Sequence, residues 1–136
     1  MSAWYLDTSA FMKLVVRERQ SAELTAWLNE RREDEVLMSS DLLRTEARRT
    51  ARRAGDDGVL AQVLLRLETM DLIPIARDTF DDAGVVEPRS LRALDAIHLV
   101  SAQALLPDLR GIVTYDRRLS GAAAMHGIEV VSPGAA

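Results

Sequence analysis

Ala3-Trp4-Tyr5-Leu6-Asp7-Thr8-Ser9 sets four apolar or aromatic residues before one acid and two hydroxyl side chains. Aromatic and aliphatic side chains favour a pleated strand, and an Asp-Thr-Ser run commonly starts a helix. The stretch predicts a strand that stops at Asp7 and turns into a short helix through Val16, which Thr8 or Ser9 can cap. The alternation recurs outward from there. Ser21 to Asn29 reads as a helix, Val36-Leu37-Met38 as a strand, and Ser40 or Asp41 caps a helix to about Ala54. Gly55-Asp56-Asp57-Gly58 breaks the chain before a helix from Val59 to Met70, a strand around Leu72-Ile73-Pro74-Ile75 and a helix from about Asp78 to Ala83. Pro88 marks a loop, Ser90 caps a helix from Leu91 to Leu106, and Pro107 lies just past it. Gly111-Ile112-Val113-Thr114 is a strand ending near Asp116, and a last helix leads to Ile128-Glu129-Val130-Val131. Strands separated by helices imply right-handed crossovers, hence an α/β domain with a parallel sheet covered on both faces. In such folds ligands bind outside the carboxyl ends of the strands, where Asp7 and Asp116 fall.

Composition narrows the chemistry. The 136 residues fit a single domain over 1–136, long enough to bury roughly two-thirds of its unfolded surface without a disulfide or structural metal. With no Cys there is no thiol nucleophile, Fe–S cluster or thiolate zinc site, and with only His98 and His126 there is no imidazole cluster. Any metal must be held mainly by oxygen. The 17 basic and 21 acidic side chains give a net charge of −4, which argues against a protein that coats nucleic acid but not against an enzyme acting on it. Met1 to Val16 lacks a basic segment followed by a long apolar core, and no window approaches the roughly 18 apolar residues of a membrane span. The expectation is a cytoplasmic protein with no membrane partner.

Four acids then stand out. Asp7 follows the first strand, where capping is its plainer role. At about 100° per residue Asp95 shares a face with Leu91, Leu94, His98, Leu99, Ala102 and Leu105, so its carboxylate lies within an apolar stripe and demands a partner. Glu46 lies at the edge of a face formed by Leu42, Leu43, Ala47, Thr50 and Ala54, with an ion pair to Arg49 as its bland alternative. Asp116 is either a helix cap or a group at the end of the fourth strand. Gathered in one crevice, four carboxylates repel and raise one another's pKa, and hard divalent ions relieve that repulsion.

These residues resemble the PIN-domain ribonucleases, most closely the VapC toxins of type II toxin–antitoxin modules. The likeness rests on Tyr5-Leu6-Asp7-Thr8-Ser9-Ala10, Ser39-Ser40 leading to Glu46, Leu94-Asp95-Ala96-Ile97-His98-Leu99, Val113-Thr114-Tyr115-Asp116-Arg117-Arg118-Leu119 and the closing Gly127-Ile128-Glu129-Val130-Val131-Ser132-Pro133. It implies a PIN-like three-layer α/β/α sandwich with strand order 3-2-1-4-5. It carries the catalytic, metal-binding acids onto Asp7, Glu46, Asp95 and Asp116, with Thr8, Ser9 and Thr114 as polar contacts behind them. It also implies Mg²⁺ or Mn²⁺ as cofactor, RNA as substrate with 5′-phosphate and 3′-hydroxyl products, a cognate VapB-type antitoxin and a homodimer.

The expected reaction is metal-dependent hydrolysis of an RNA phosphodiester, with no protein nucleophile. His98 reads as a packed or hydrogen-bonded core residue in preference to a base. Arg44, Arg48, Arg49, Arg52 and Arg53 crowd one helix as a solvated face or as a contact for RNA or an acidic antitoxin segment. A phosphoaspartate phosphatase needs an acid where Ser9 stands, and a receiver domain needs a late lysine, whereas the sole lysine is Lys13. A PIN nuclease of RNA processing and a non-catalytic PIN-like binding module remain as alternatives. Two divalent ions in the acid pocket would cancel the charge of −4.

Overall fold

The computed structural model describes residues 1–135. The elements follow in the order β1 (Ser2–Leu6), α1 (Thr8–Val15), α2 (Ser21–Asn29), β2 (Glu35–Ser40), α3 (Leu42–Ala54) and α4 (Asp57–Leu67). After these come β3 (Asp71–Ile73), α5 (Arg77–Ala83), α6 (Ala93–Gln103), β4 (Leu109–Val113), α7 (Arg117–Met125) and β5 (Val130–Val131). All strand pairs are parallel and the sheet order is β3-β2-β1-β4-β5, as the resemblance implies.

Side chains alternate across a strand, and β1 shows how that builds three layers. Tyr5 packs with Leu99, Ala102, Leu119 and Ala123 of α6 and α7 on one face. Trp4 and Leu6 pack with Ala10 and Leu24 of α1 and α2 on the other, where Phe11 also joins Leu43, Ala47 and Val63 of α3 and α4. Gly111 lets β4 approach β1 closely, since a Cβ there would lie 2.7 Å from the Glu129 carbonyl oxygen and 2.8 Å from the Trp4 ring. Gly55, at φ 68°, ends α3 in the left-handed conformation that glycine adopts at little cost.

Several boundaries differ from the sequence expectation for physical reasons. Asp7 itself caps α1, its carboxylate accepting from the Ala10 N–H, so Thr8 and Ser9 are released for other bonds. Ser90 does not cap α6. The Leu91 N–H instead donates to the Pro88 carbonyl in a turn, and the helix starts at Ala93 with Arg92 at the cap position. Asp56 caps α4, which therefore begins two residues before Val59. The strand β3 stops at Ile73 because Pro74 has no N–H to donate.

A candidate acidic active site

Parallel strands bring Asp7 and Asp116 to the same edge, because β1 and β4 are neighbours and run in register from Trp4↔Gly111 to Leu6↔Val113. Asp7 is buried at 4% exposure and accepts three hydrogen bonds. Its Oδ1 accepts from Ser9 Oγ at 2.7 Å and from the Ala10 N–H at 3.0 Å, and its Oδ2 accepts from Thr114 Oγ1 at 2.6 Å. Burial pushes the Asp7 carboxyl up, while the field of His98 and the three hydrogen bonds pull it back only in part. Thr114 also receives the Asp116 N–H at 3.0 Å, and Asp116 Oδ1 caps α7 by accepting from the Leu119 N–H at 2.9 Å. One threonine thus ties the ends of two strands together.

Glu46 comes from α3 and makes no ion pair with Arg49 among the described residues. Its Oε1 accepts from Thr8 Oγ1 at 2.6 Å and faces His98 Nε2 at 2.6 Å. Burial would raise its pKa, but the hydrogen bonds from His98 and Thr8 and the field of His98 outweigh burial and leave it below the usual value. An ionised carboxylate only accepts, so Nε2 carries a proton towards Glu46, while Nδ1 lies 2.7 Å from the Tyr5 hydroxyl. That phenol donates to Ser40 Oγ at 3.0 Å. Among the described residues nothing donates to Glu46 Oε2. Sequence reading placed His98 correctly as a hydrogen-bonded core residue and missed that it orients Glu46. The two are 52 residues apart, and their only sequence signal is that both sit on faces turned towards the sheet.

Asp95 departs from its expectation. It does not sit inside a buried stripe, because the first turn of α6 is open to solvent, with Ala93 exposed and Leu94 49% exposed. Asp95 is half-buried, and no hydrogen bond to its carboxylate is formed by the described residues. Burial raises its pKa, followed by the charge of Asp116 and, after an opposing influence of His98, by the charges of Asp7 and Glu46. The four acids therefore feel one another. Yet among the described residues no three of the Asp, Glu and His side chains close into a ready cage for an ion. They form an open, under-compensated rim. Oxygen donors without a neighbouring cation fit a hard divalent ion, with water completing its shell.

Of the α3 arginines, Arg44, Arg49, Arg52 and Arg53 are exposed and Arg48 is half-buried. Arg48 donates to the Arg44 carbonyl at 2.9 Å and Arg53 to Thr50 Oγ1 at 3.3 Å. None pairs with a carboxylate among the described residues.

An all-parallel 3-2-1-4-5 sheet with acids at the carboxyl ends of β1 and β4 defines the PIN class, and the PIN domain family model matches residues 4–125. The chain is 36% identical over 132 residues to ribonuclease VapC47 of Mycobacterium tuberculosis strain CDC 1551, covering 96% of this chain and 97% of that one. It is 40% identical over 133 residues to ribonuclease VapC46 of strain H37Rv, covering 98% and 99%. The chain belongs to the PIN-domain family and, within it, to the VapC ribonucleases. The crystal structure of Mycobacterium tuberculosis VapC20, a sarcin–ricin loop cleaving toxin, superposes with a TM-score of 0.73 over 96% of this chain and 99% of that one. At 18% identity that likeness establishes the shared fold.

Proposed function

We propose that this chain is a single-domain endoribonuclease toxin that hydrolyses RNA phosphodiester bonds in the cytoplasm with the help of Mg²⁺ or Mn²⁺, and that a cognate VapB-type antitoxin restrains it. The observation that carries the reading is the acid rim. Asp7 is clamped at three points while Asp95 stands unpaired in the field of three other carboxylates. Identity to ribonucleases along the whole chain supports the substrate class.

Asp7, Asp95, Asp116 and the free Oε2 of Glu46 are the oxygens that would hold the ion. When bound, the ion supplies a water of lowered pKa and charge to offset the leaving oxygen. Ser9 and Thr114 hold the Asp7 carboxylate in one orientation, and Thr8 and His98 do the same for Glu46. Such outer partners are positioning residues, and their loss typically costs about 10–100-fold in metal affinity or activity. The exposed α3 arginines suit oxyanions of RNA or of an acidic antitoxin segment, and the homodimer is expected through the early helices.

Cleavage of RNA in the presence of Mg²⁺ or Mn²⁺ tests this reading. Chelator, Asp7→Asn and Asp95→Asn should each abolish cleavage with the fold retained, and calorimetry should show ion binding weakened in both variants. Undiminished cleavage by both variants would sink the site. Growth arrest on expression, relieved by the adjacent small gene, separates a toxin from a nuclease of RNA processing.

A further inference from the structure

A second cluster of charge lies outside the acid rim. A cleft of about 610 Å³ opens between the α1–α2 loop, the start of α7 and the end of β5. Lys13, Arg19 and Arg117 line it with Gln20, Ser120 and Ser132, and among the described residues no Asp or Glu side chain is in its walls. In a chain whose acids outnumber its bases, three cations with no Asp or Glu among the described walls invert the average composition of the surface. Arg19 and Arg117 are exposed and form no ion pair among the described residues. Lys13 is pinned, its Nζ donating to the Arg19 carbonyl at 2.9 Å and lying 4.7 Å from the centre of the Tyr115 ring. Glu23 acts on the Tyr115 phenol but lines the neighbouring groove between α1 and α2, not this cleft.

Resting on the ribonuclease reading for the identity of the polymer, we propose that this cleft binds an RNA backbone phosphate other than the scissile one. Its position favours that occupant. Arg117 follows Asp116 directly, and the Tyr115 N–H donates to Ser9 Oγ at 2.9 Å, the same hydroxyl that holds Asp7. A strand laid over the acids therefore continues past this wall. The Tyr115 ring offers no free platform for a base, since Lys13 covers it and its hydroxyl donates to the Pro133 carbonyl at 2.8 Å. Ser120 and Ser132 donate their hydroxyl protons to the Asp116 and Thr114 carbonyls, so the cations are what suit a phosphodiester here, and contacts of this kind position a strand without reading its sequence. An acidic peptide meets the same cations, but on the ribonuclease reading the polymer at the acids is RNA, and its neighbouring phosphates are the anions tethered closest to this cleft.

The test is binding of a labelled single-stranded RNA in chelator, followed by anisotropy at several salt concentrations. Arg19→Gln with Arg117→Gln should raise Kd on the order of tenfold and lower the slope of log Kd against log salt by about 0.7 for each phosphate no longer neutralised. The paired Arg→Lys variants should keep the slope, because they keep the charge. With Mg²⁺ present, cleavage of a dinucleotide too short to reach the cleft should be unchanged in the glutamine variant. Absent RNA binding by the unsubstituted chain, or an unchanged Kd and slope in the glutamine variant, overturns the assignment. So does a variant that loses an oligoglutamate peptide while holding RNA. A chain that binds RNA through these arginines but cuts none would retire the nuclease reading and leave the cleft standing.

Discussion

The two edges of the sheet treat carboxylates in opposite ways. At the amino-terminal edge the Glu35 side chain is only 6% exposed and is answered on several sides. Trp4 Nε1 donates to it at 3.3 Å, Arg31 Nε lies 3.9 Å away and Arg110 Nη1 3.7 Å away. Arg31 in turn stacks 4.1 Å over Trp27, which packs edge-on against Trp4 at 4.8 Å. At the carboxyl-terminal edge Asp7, Glu46, Asp95 and Asp116 have hydroxyls, amides and one imidazole, and no Lys or Arg pairs with them among the described residues. A fold able to surround a carboxylate with arginines at one end gives the four at the other no Lys or Arg among the described residues, and only Glu46 an imidazole partner. On the proposed reading that asymmetry keeps a site for an external cation, and it can be attacked from either side.

The largest effect is expected at Asp7. Loss of outer partners costs about 10–100-fold, so removing the clamped carboxylate itself through Asp7→Asn is expected to cost on the order of 10³-fold in kcat/KM for RNA. Steady-state cleavage assays at saturating Mg²⁺ check it, alongside a melting curve in chelator that should show no loss of stability. A variant that melts early would instead place Asp7 among purely structural caps.

Next come the positioning bonds. Thr114→Val removes the donor to Asp7 Oδ2 and the acceptor for the Asp116 N–H, and His98→Gln shortens the arm that holds Glu46. Each is expected to lower activity by about 10–100-fold. The effect should fall on the dependence on Mg²⁺ concentration before it falls on the maximal rate. Thr114→Ser keeps the hydroxyl and should recover most of the loss. Equal losses at all Mg²⁺ concentrations in Val and Ser variants would argue for simple misfolding.

The opposite edge should give the opposite phenotype. Glu35→Gln leaves Arg31 and Arg110 without their counter-ion and weakens the bond from Trp4, for an expected cost of about 1–2 kcal/mol, discounted because both arginines are partly in water. Thermal melting should fall by several degrees. RNA cleavage per folded molecule should not change, and a loss of kcat in this variant would break the contrast between the edges.

How far the sequence alone reaches follows the same division. Strand ends are local events, so Asp7 and Asp116 are legible from the residues on either side of them. Helix periodicity assigns Asp95 to the face it shares with His98, yet periodicity says nothing about where along a helix burial begins. The first turn of α6 is solvent-exposed and burial begins only at Ala96, so the expected buried stripe becomes a half-buried rim. The Thr8–Glu46–His98–Tyr5–Ser40 chain joins residues from separate elements, and nothing in the spacing of any one of them announces it. The same holds for Glu35 with Arg31, Arg110 and Trp4. Lys13 stands out in the sequence only as the sole lysine, and its place beside Arg19 and Arg117 arises when the α1–α2 loop packs near the end of β5.

The smallest expected effect is a trend with pH in the metal-free protein. Asp7 and Asp95 have pKa values raised above 3.8 on folding, mainly by burial. Below that value both are protonated in either state. As pH rises from about 4 through their folded values, the unfolded chain releases its protons first, so stability falls. Glu46 runs the other way, because its pKa is lowered from 4.5, and its contribution is present above that value and lost as pH falls through the folded one. The two signs act in adjoining windows, Glu46 below 4.5 and the two aspartates above 3.8, so they offset only where these overlap. A divalent ion should remove the acid-rim penalty without touching the Glu35 edge. Melting curves from about pH 4 to 8 in chelator should therefore decline gently with rising pH, and saturating Mg²⁺ should raise the high-pH points most. In Asp7→Asn the decline should flatten, since the most deeply buried of the raised acids is gone. A Mg²⁺ effect of equal size at every pH would mean that the ion binds elsewhere than at the titrating rim.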